Sequence, residues 1–157
     1  MKLSSCLLFV LFFTLSQAQN NIETKFLPPA GYERIYNDEY SKFLRQQPLK
    51  QENIVKYHNG QVRFSKANDI FAAVFDYDIG RLDLHQCADA AIYLRANYNY
   101  MFGFLEKLAY TFTNGEITTY KDYLAGAKYR AVNGGGDIEK VYEKSRKDNF
   151  KTFRRWL

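Results

Sequence analysis

The chain has 157 residues, of which 46% are apolar, 17% aromatic and 25% charged. Thirteen Tyr and thirteen Phe exclude a disordered chain, 9 Gly and 3 Pro exclude a collagen-like one, and 2 Cys exclude a disulfide scaffold. The formal charge of +5 is mild, and the length suits one globular domain.

The first segment reads as a secretory signal. Met1-Lys2 is a short basic start, Leu7-Leu8-Phe9-Val10-Leu11-Phe12-Phe13 an apolar core, and Ser16-Gln17-Ala18 sets small residues before a cut after Ala18. The run from Leu7 to Leu15 is about half of the ~20 residues a spanning helix needs, so an uncleaved anchor is the weaker reading. Cys6 precedes the apolar core, whereas a lipobox cysteine follows it, so Cys6 should leave with the signal. The expected mature chain is exported, periplasmic or extracellular, with 139 residues, a net charge of +4 and a single cysteine, Cys87. No stable membrane span should remain, and export separates the chain from cytoplasmic nucleic acid. An odd thiol in such a protein is free, paired with another chain, or reactive.

After the signal (1–18), an extended lead-in is expected over 19–30, ending at Pro28-Pro29, and then one α+β domain over 31–157. Asn37 is a plausible N-cap, with Asp38 and Glu39 in the first turn of a helix. Tyr40, Phe43 and Leu44 share one face of it, and Pro48 stops it. Ile54 to Tyr57, Asn59-Gly60 and Val62 to Phe64 predict a hairpin, because Asn and Gly both tolerate positive φ. The apolar run Ile70 to Phe75 reads as a buried strand, although periodicity alone leaves a helix open. Asp76 to Gly80 follows as its exit turn. A long helix is expected from Leu84 or His85, capped by Asp83 and ended by Gly103. Its residues Cys87, Ala91, Leu94 and Tyr98 share one face. Tyr110 to Thr113 predicts a strand with an Asn114-Gly115 turn. Thr118 or Thr119 then caps a short helix through Leu124, with Gly126 behind it. Asn133-Gly134-Gly135-Gly136 reads as a flexible joint, and Asp137 as the cap of a final charged helix. The apolar residues there, Ile138, Val141, Tyr142, Phe150, Phe153, Trp156 and Leu157, are only loosely periodic. Hairpin, single strands and helices together indicate α+β.

Several of these stretches resemble a bacterial family of exported proteins, the domain of unknown function numbered 4846. The matching pieces are Phe43-Leu44-Arg45 with Pro48-Leu49-Lys50, and Ala72-Ala73-Val74 with Asp78-Ile79-Gly80. The most specific run is Asp83-Leu84-His85-Gln86-Cys87-Ala88-Asp89-Ala90, followed by Leu94-Arg95-Ala96 and Tyr98. Phe112-Thr113-Asn114-Gly115 and the segment Gly126 to Arg130 continue it. The similarity runs roughly from Phe26 to Leu157 and brings no established activity. The family pattern is longer, and its second half is similar to the histidine-bearing strand of NlpC-type, papain-like cysteine peptidases. The resemblance therefore implies an N-terminal half, truncated before the base histidine, with a central helix carrying Cys87 packed on a small antiparallel sheet. It also implies that the apolar face of Tyr142, Phe150, Phe153 and Trp156 lacks a packing partner.

Cys87 is the candidate catalytic residue. Unpaired N–H groups and the positive dipole end at a helix start favour thiolate over thiol, and the thiolate is the nucleophile. The alternative is a buried, inert cysteine on the apolar face with Ala91 and Leu94. His85 lies two residues away, about 200° around a helix, and is a poor partner unless it precedes the first turn. His58 reads as a plain turn residue. Asp76 and Asp78 begin a calcium-loop spacing that nothing completes, Asp83 and Asp89 do not extend it, and two His with one Cys make no zinc set. Gly134-Gly135-Gly136 lacks the Lys-Ser/Thr partner of a phosphate loop. No metal and no cofactor is expected. Tyr93, Tyr98, Tyr100, Tyr110, Tyr120, Tyr123 and Tyr129 would line a sugar or peptide groove or simply pack. Lys144, Arg146, Lys147, Lys151, Arg154 and Arg155 form a solvated face or a wall-polymer contact. The expectation is the thiol-bearing half of a cysteine amidase or peptidase acting on peptidoglycan or another envelope peptide. Its rivals are a non-enzymatic envelope-binding module and an inactive fragment.

Overall fold

A computed structural model describes residues 20–65, 70–80 and 86–157. The expected signal and the residues Asp83, Leu84 and His85 lie outside the described residues. The chain divides into two compact units, one of 1–37 and 45–78, the other of 38–44 and 79–157.

In the first unit, the expected extended lead-in contains one helical turn, α1 (Ile22–Lys25). The Asn21 side chain accepts a 3.0 Å bond from the Thr24 N–H and caps it. Asn20 ties this segment to the chain beyond Pro48: its side-chain amide donates to the carbonyls of Leu49 and Lys50, both at 3.0 Å. Residues 48–50 in turn pair with the end of the apolar run expected as a strand. Lys50 N–H donates to Val74 at 2.8 Å and Asp76 N–H to Pro48 at 2.8 Å, around the bridge Leu49–Phe75. That run is no regular strand. Ile70 is 71% exposed, and the backbone bonds to residues 48–50 fall at the distal end, from Val74 to Asp76. Apolar character marked the segment, but a ladder needs a neighbour along its whole length.

The first hairpin forms as expected, with shorter strands: β1 (Val55–Lys56) pairs antiparallel with β2 (Val62–Phe64). Gly60 adopts φ +85°, and the Asn59 side-chain Oδ1 accepts from the Gln61 N–H at 3.0 Å, closing the turn.

The second unit opens with α2 (Glu39–Arg45). Its cap is Asp38 rather than Asn37, because the Asp38 carboxylate accepts from the N–H groups of Tyr40 and Ser41 at 3.2 and 2.9 Å. Phe43 is the buried residue of this helix. The long helix, α3 (Cys87–Met101), starts later than expected and is capped at Gln86. Asp89 reaches back to accept from the Gln86 N–H at 2.8 Å. Gly103, at φ +76°, ends it as expected.

The inward face of α3 also differs from expectation. Tyr93, Ala96 and Asn97 are buried, and Asp89 and Tyr100 are half-buried. At 100° per residue this stripe lies opposite the one through Cys87, Ala91, Leu94 and Tyr98. Cys87 and Ala91 are exposed, whereas Tyr98 turns to α2, 5.1 Å from the Tyr40 ring and 5.4 Å from that of Phe43. The expected stripe is the more apolar of the two, yet tertiary contacts bury the one that carries Asn97.

β3 (Ala109–Thr111) and β4 (Ile117–Thr119) form a second hairpin around Asn114-Gly115; the returning strand was not foreseen. Thr119 caps α4 (Tyr120–Leu124), accepting from the Asp122 N–H at 3.0 Å, as expected. The chain then leaves through Gly126, at φ +108°.

The last third overturns two expectations. The Asn-Gly-Gly-Gly stretch is a tight turn rather than a flexible joint, and Asp137 begins a strand rather than a helix. β5 (Ala127–Val132) and β6 (Asp137–Tyr142) pair over six positions. Asn133, Gly134 and Gly135 all take positive φ (50°, 68° and 94°), which reverses the chain within the turn. The terminal helix, α5 (Phe150–Trp156), begins later and is capped by Asn149, which accepts from the Thr152 N–H at 2.9 Å.

The chain is thus α+β, and among the described residues the antiparallel strands are distributed over three two-stranded sheets rather than gathered in one. The core of the second unit is Ala96, Leu108, Tyr120 and Phe153, with Tyr100, Tyr110, Tyr123 and Trp156 packed around it. Phe153 therefore does have packing partners. Tyr142 lies on β6 and is 58% exposed, so it shares no helical face with Phe153.

Candidate functional site

Cys87 occupies the first residue of α3 and is exposed with a free thiol. This corrects the reading of a cysteine buried on the apolar face with Ala91 and Leu94. The fixed features beside it are the Gln86–Asp89 cap and the Ala90 N–H bonded to the Gln86 carbonyl at 3.2 Å. They hold the first turn closed, so the thiol projects from ordered backbone. Asp89 is explained as a capping carboxylate. A thiol so placed is sterically open to attack an electrophilic carbonyl. Proton transfer requires a base within hydrogen-bond reach, and the described residues of this unit include no histidine.

The other candidates stay apart. His58 sits exposed in the turn between β1 and β2. Asp76 takes part in backbone pairing through its N–H, and Asp78 lies on the exposed segment beyond it. Among the described residues, no group of three or more His, Cys, Asp or Glu is placed to hold a metal ion, and no helix is long and apolar enough to cross a membrane.

The tyrosines mostly pack. Tyr93 and Tyr120 are buried, and Tyr98, Tyr100, Tyr110, Tyr123 and Tyr129 are half-buried. Tyr120 and Tyr100 both donate to one Asp148 carboxylate oxygen, at 2.8 and 3.1 Å. Burial first, and then Asp148, push both phenols above their ordinary value. Tyr110 is pushed up mainly by burial, with a smaller push from Tyr40, against the pull of Arg95.

A different aromatic cluster lies in the first unit. Phe26, Leu27, Pro28, Pro29, Tyr32, Glu33 and Arg34 line an open cavity of about 370 Å³. Leu27 is 79% exposed and Tyr32 77%. Glu23 braces it, pairing with Arg34 and Arg45 at 3.7 and 3.2 Å and accepting from the Tyr36 hydroxyl at 2.5 Å. The Tyr36 hydrogen bond is the main influence holding the Glu23 carboxyl below its ordinary value. The Pro-Pro pair marked this segment in the sequence only as a lead-in.

An α+β chain with an exposed cysteine opening the longest of its described helices is the class defined so far. The family model described as "Domain of unknown function (4846)" matches residues 22–157, and the chain belongs to that family. No curated protein and no solved structure matches it.

Proposed function

We propose that the protein is exported and that Cys87 is the nucleophile of an amidase or peptidase acting on envelope peptides such as peptidoglycan stems. The observation that carries this reading is the exposure of the thiol at the first residue of a 15-residue helix. In the proposed reaction the thiolate attacks the amide carbonyl carbon and the C–N bond breaks. The amine leaves with a proton from the acid form of the base, and water then cleaves the thioester to carboxylate and thiol. The base, by the likeness to NlpC-type enzymes, is a histidine from outside the described residues. The test is the rate of iodoacetamide labelling at pH 7 on folded protein, with Cys87→Ser as the blank. Labelling faster than that of free cysteine supports the reading; an equal or slower rate refutes it.

A second reading, an envelope-binding module without catalysis, draws on the exposed aromatic cavity around Tyr32. It expects peptidoglycan co-sedimentation to survive Cys87→Ser and to be lost in Tyr32→Ala. The reverse pattern removes it.

A further inference from the structure

A second cavity, in the unit that carries Cys87, has a different chemistry. It measures about 250 Å³ and is lined by Tyr123, Arg146, Asn149, Lys151, Thr152 and Arg155. Three of the six lining residues are cations and none is an acid. We propose that this cavity binds a phosphoryl group, presented either by a small phosphate ester or by a lipid headgroup.

The cations are arranged unequally. Arg146 is built in: its N–H donates to the Leu124 carbonyl at 2.7 Å, and its Nη1 donates to the carbonyls of Tyr123 and Ala127 at 2.5 and 3.3 Å. Its guanidinium also lies 4.1 Å from the Tyr123 ring centroid. These contacts fix the orientation of the fork without neutralising its charge, so little side-chain entropy remains to be lost on binding. Lys151 and Arg155 stand exposed on α5, and neither has a carboxylate partner among the described residues.

Nearby carboxylates are committed elsewhere. Asp148 is the only acid between Lys144 and Leu157, and it accepts from Tyr100 and Tyr120. Glu143 feels Arg146 but is bonded to Lys128 at 2.7 Å, and Asp122 is bonded to Lys140 at 2.8 Å. The neutral polar groups are also satisfied: Asn149 accepts from Thr152 Oγ1 at 3.2 Å and donates to the Lys147 carbonyl at 3.2 Å. They shape the wall, and the anion contacts fall to the three cations.

Charge and size select the ligand class. Three cations without an ion-pair partner among the described residues match a group carrying close to two negative charges, which a phosphate monoester does and a carboxylate does not. A volume of about 250 Å³ lies below the ~300–1,000 Å³ of pockets that engulf a drug-sized ligand, so a compact head group fits and an extended polymer does not.

The probes are inorganic phosphate, glycerol 3-phosphate and phosphatidic acid vesicles, whose headgroup is also a phosphate monoester, titrated at fixed ionic strength with calorimetry and the fluorescence of Trp156, the single tryptophan. Both Lys151 and Arg155 are exposed, so the Lys151→Ala/Arg155→Ala variant should fold, which circular dichroism checks. Its affinity should fall about tenfold or more, as loss of charge-assisted bonds requires. Lys56→Ala/Arg63→Ala removes the same charge from the first unit and should leave affinity unchanged. Binding of the soluble phosphates identifies a small ester as the source; binding of the vesicles alone, lost in the same variant, identifies the headgroup. The proposal fails if no probe binds, if acetate competes as well as phosphate, or if both double variants weaken binding equally.

Discussion

Replacing Phe153 by Ala tests whether α5 is an integral part of the core or an apolar helix without a partner. Phe153 has no exposed surface. Its ring stacks on Tyr100 at a centroid distance of 4.2 Å and an interplanar angle of 12°, and meets Tyr120 edge-on at 5.8 Å and 88°. Truncating a buried Phe to Ala costs about 3–5 kcal/mol. Aromatic pairs contribute about 0.5–1.5 kcal/mol beyond area burial, so the expected loss is in the upper part of that range, about 4–5 kcal/mol. Folded domains hold about 5–15 kcal/mol in total, so Phe153→Ala should lose about a quarter of the stability or more. Phe150, on the same helix, is 51% exposed. Phe150→Ala should therefore cost only about 1–2 kcal/mol, in line with its smaller buried area. Equilibrium urea unfolding followed by Trp156 fluorescence and far-ultraviolet dichroism measures both variants. A loss below about 1 kcal/mol for Phe153→Ala, or equal losses for the two, would refute the packing of α5 on Tyr100 and Tyr120.

Gly126→Ala should destabilise by at least about 2 kcal/mol, through positive-φ strain and a steric clash. Gly126 has φ +108°, and a Cβ there would sit 2.2 Å from the Glu143 carbonyl oxygen. Amide exchange over 127–142 reads the effect, and unchanged protection there contradicts it. Tyr120→Phe removes one of the two hydroxyls bonded to Asp148 and should cost about 1–2 kcal/mol at neutral pH. The same variant should alter the alkaline limb. The Tyr120 phenol is raised above its ordinary 10.0, so the folded protein holds that proton more tightly than the unfolded chain does. The associated stability is fully present below about pH 10 and is lost as pH rises through the folded value. Tyr120→Phe should flatten that decline, and an unchanged slope in urea midpoints between pH 9 and pH 11 counts against the buried-phenol account.

Local chemistry was legible wherever a few adjacent residues decide the outcome. Asn59-Gly60, Asn114-Gly115, the Thr119 cap and the Gly103 stop each act within a turn, and each lies where the residues placed it. The exposure of Cys87 was not legible. The stripe through Cys87, Ala91 and Leu94 is the more apolar one, but the packing of Tyr93, Ala96 and Asn97 buries the side opposite the thiol. The β5–β6 hairpin was missed because consecutive glycines serve equally for a joint or a turn. Closing it needs the facing partner Ala127–Val132 across six paired positions. The cation run from Lys144 to Arg155 was visible as charge, but its division into a cavity, with Arg146 anchored and Asp148 drawn away by two tyrosines, arises from contacts distant in sequence. The amino-acid order by itself determined the α+β class, the Asn-Gly turns and the family. Tertiary packing alone decided which helix face is buried, which thiol meets solvent and where uncompensated positive charge collects, because burial depends on neighbours that no local spacing encodes.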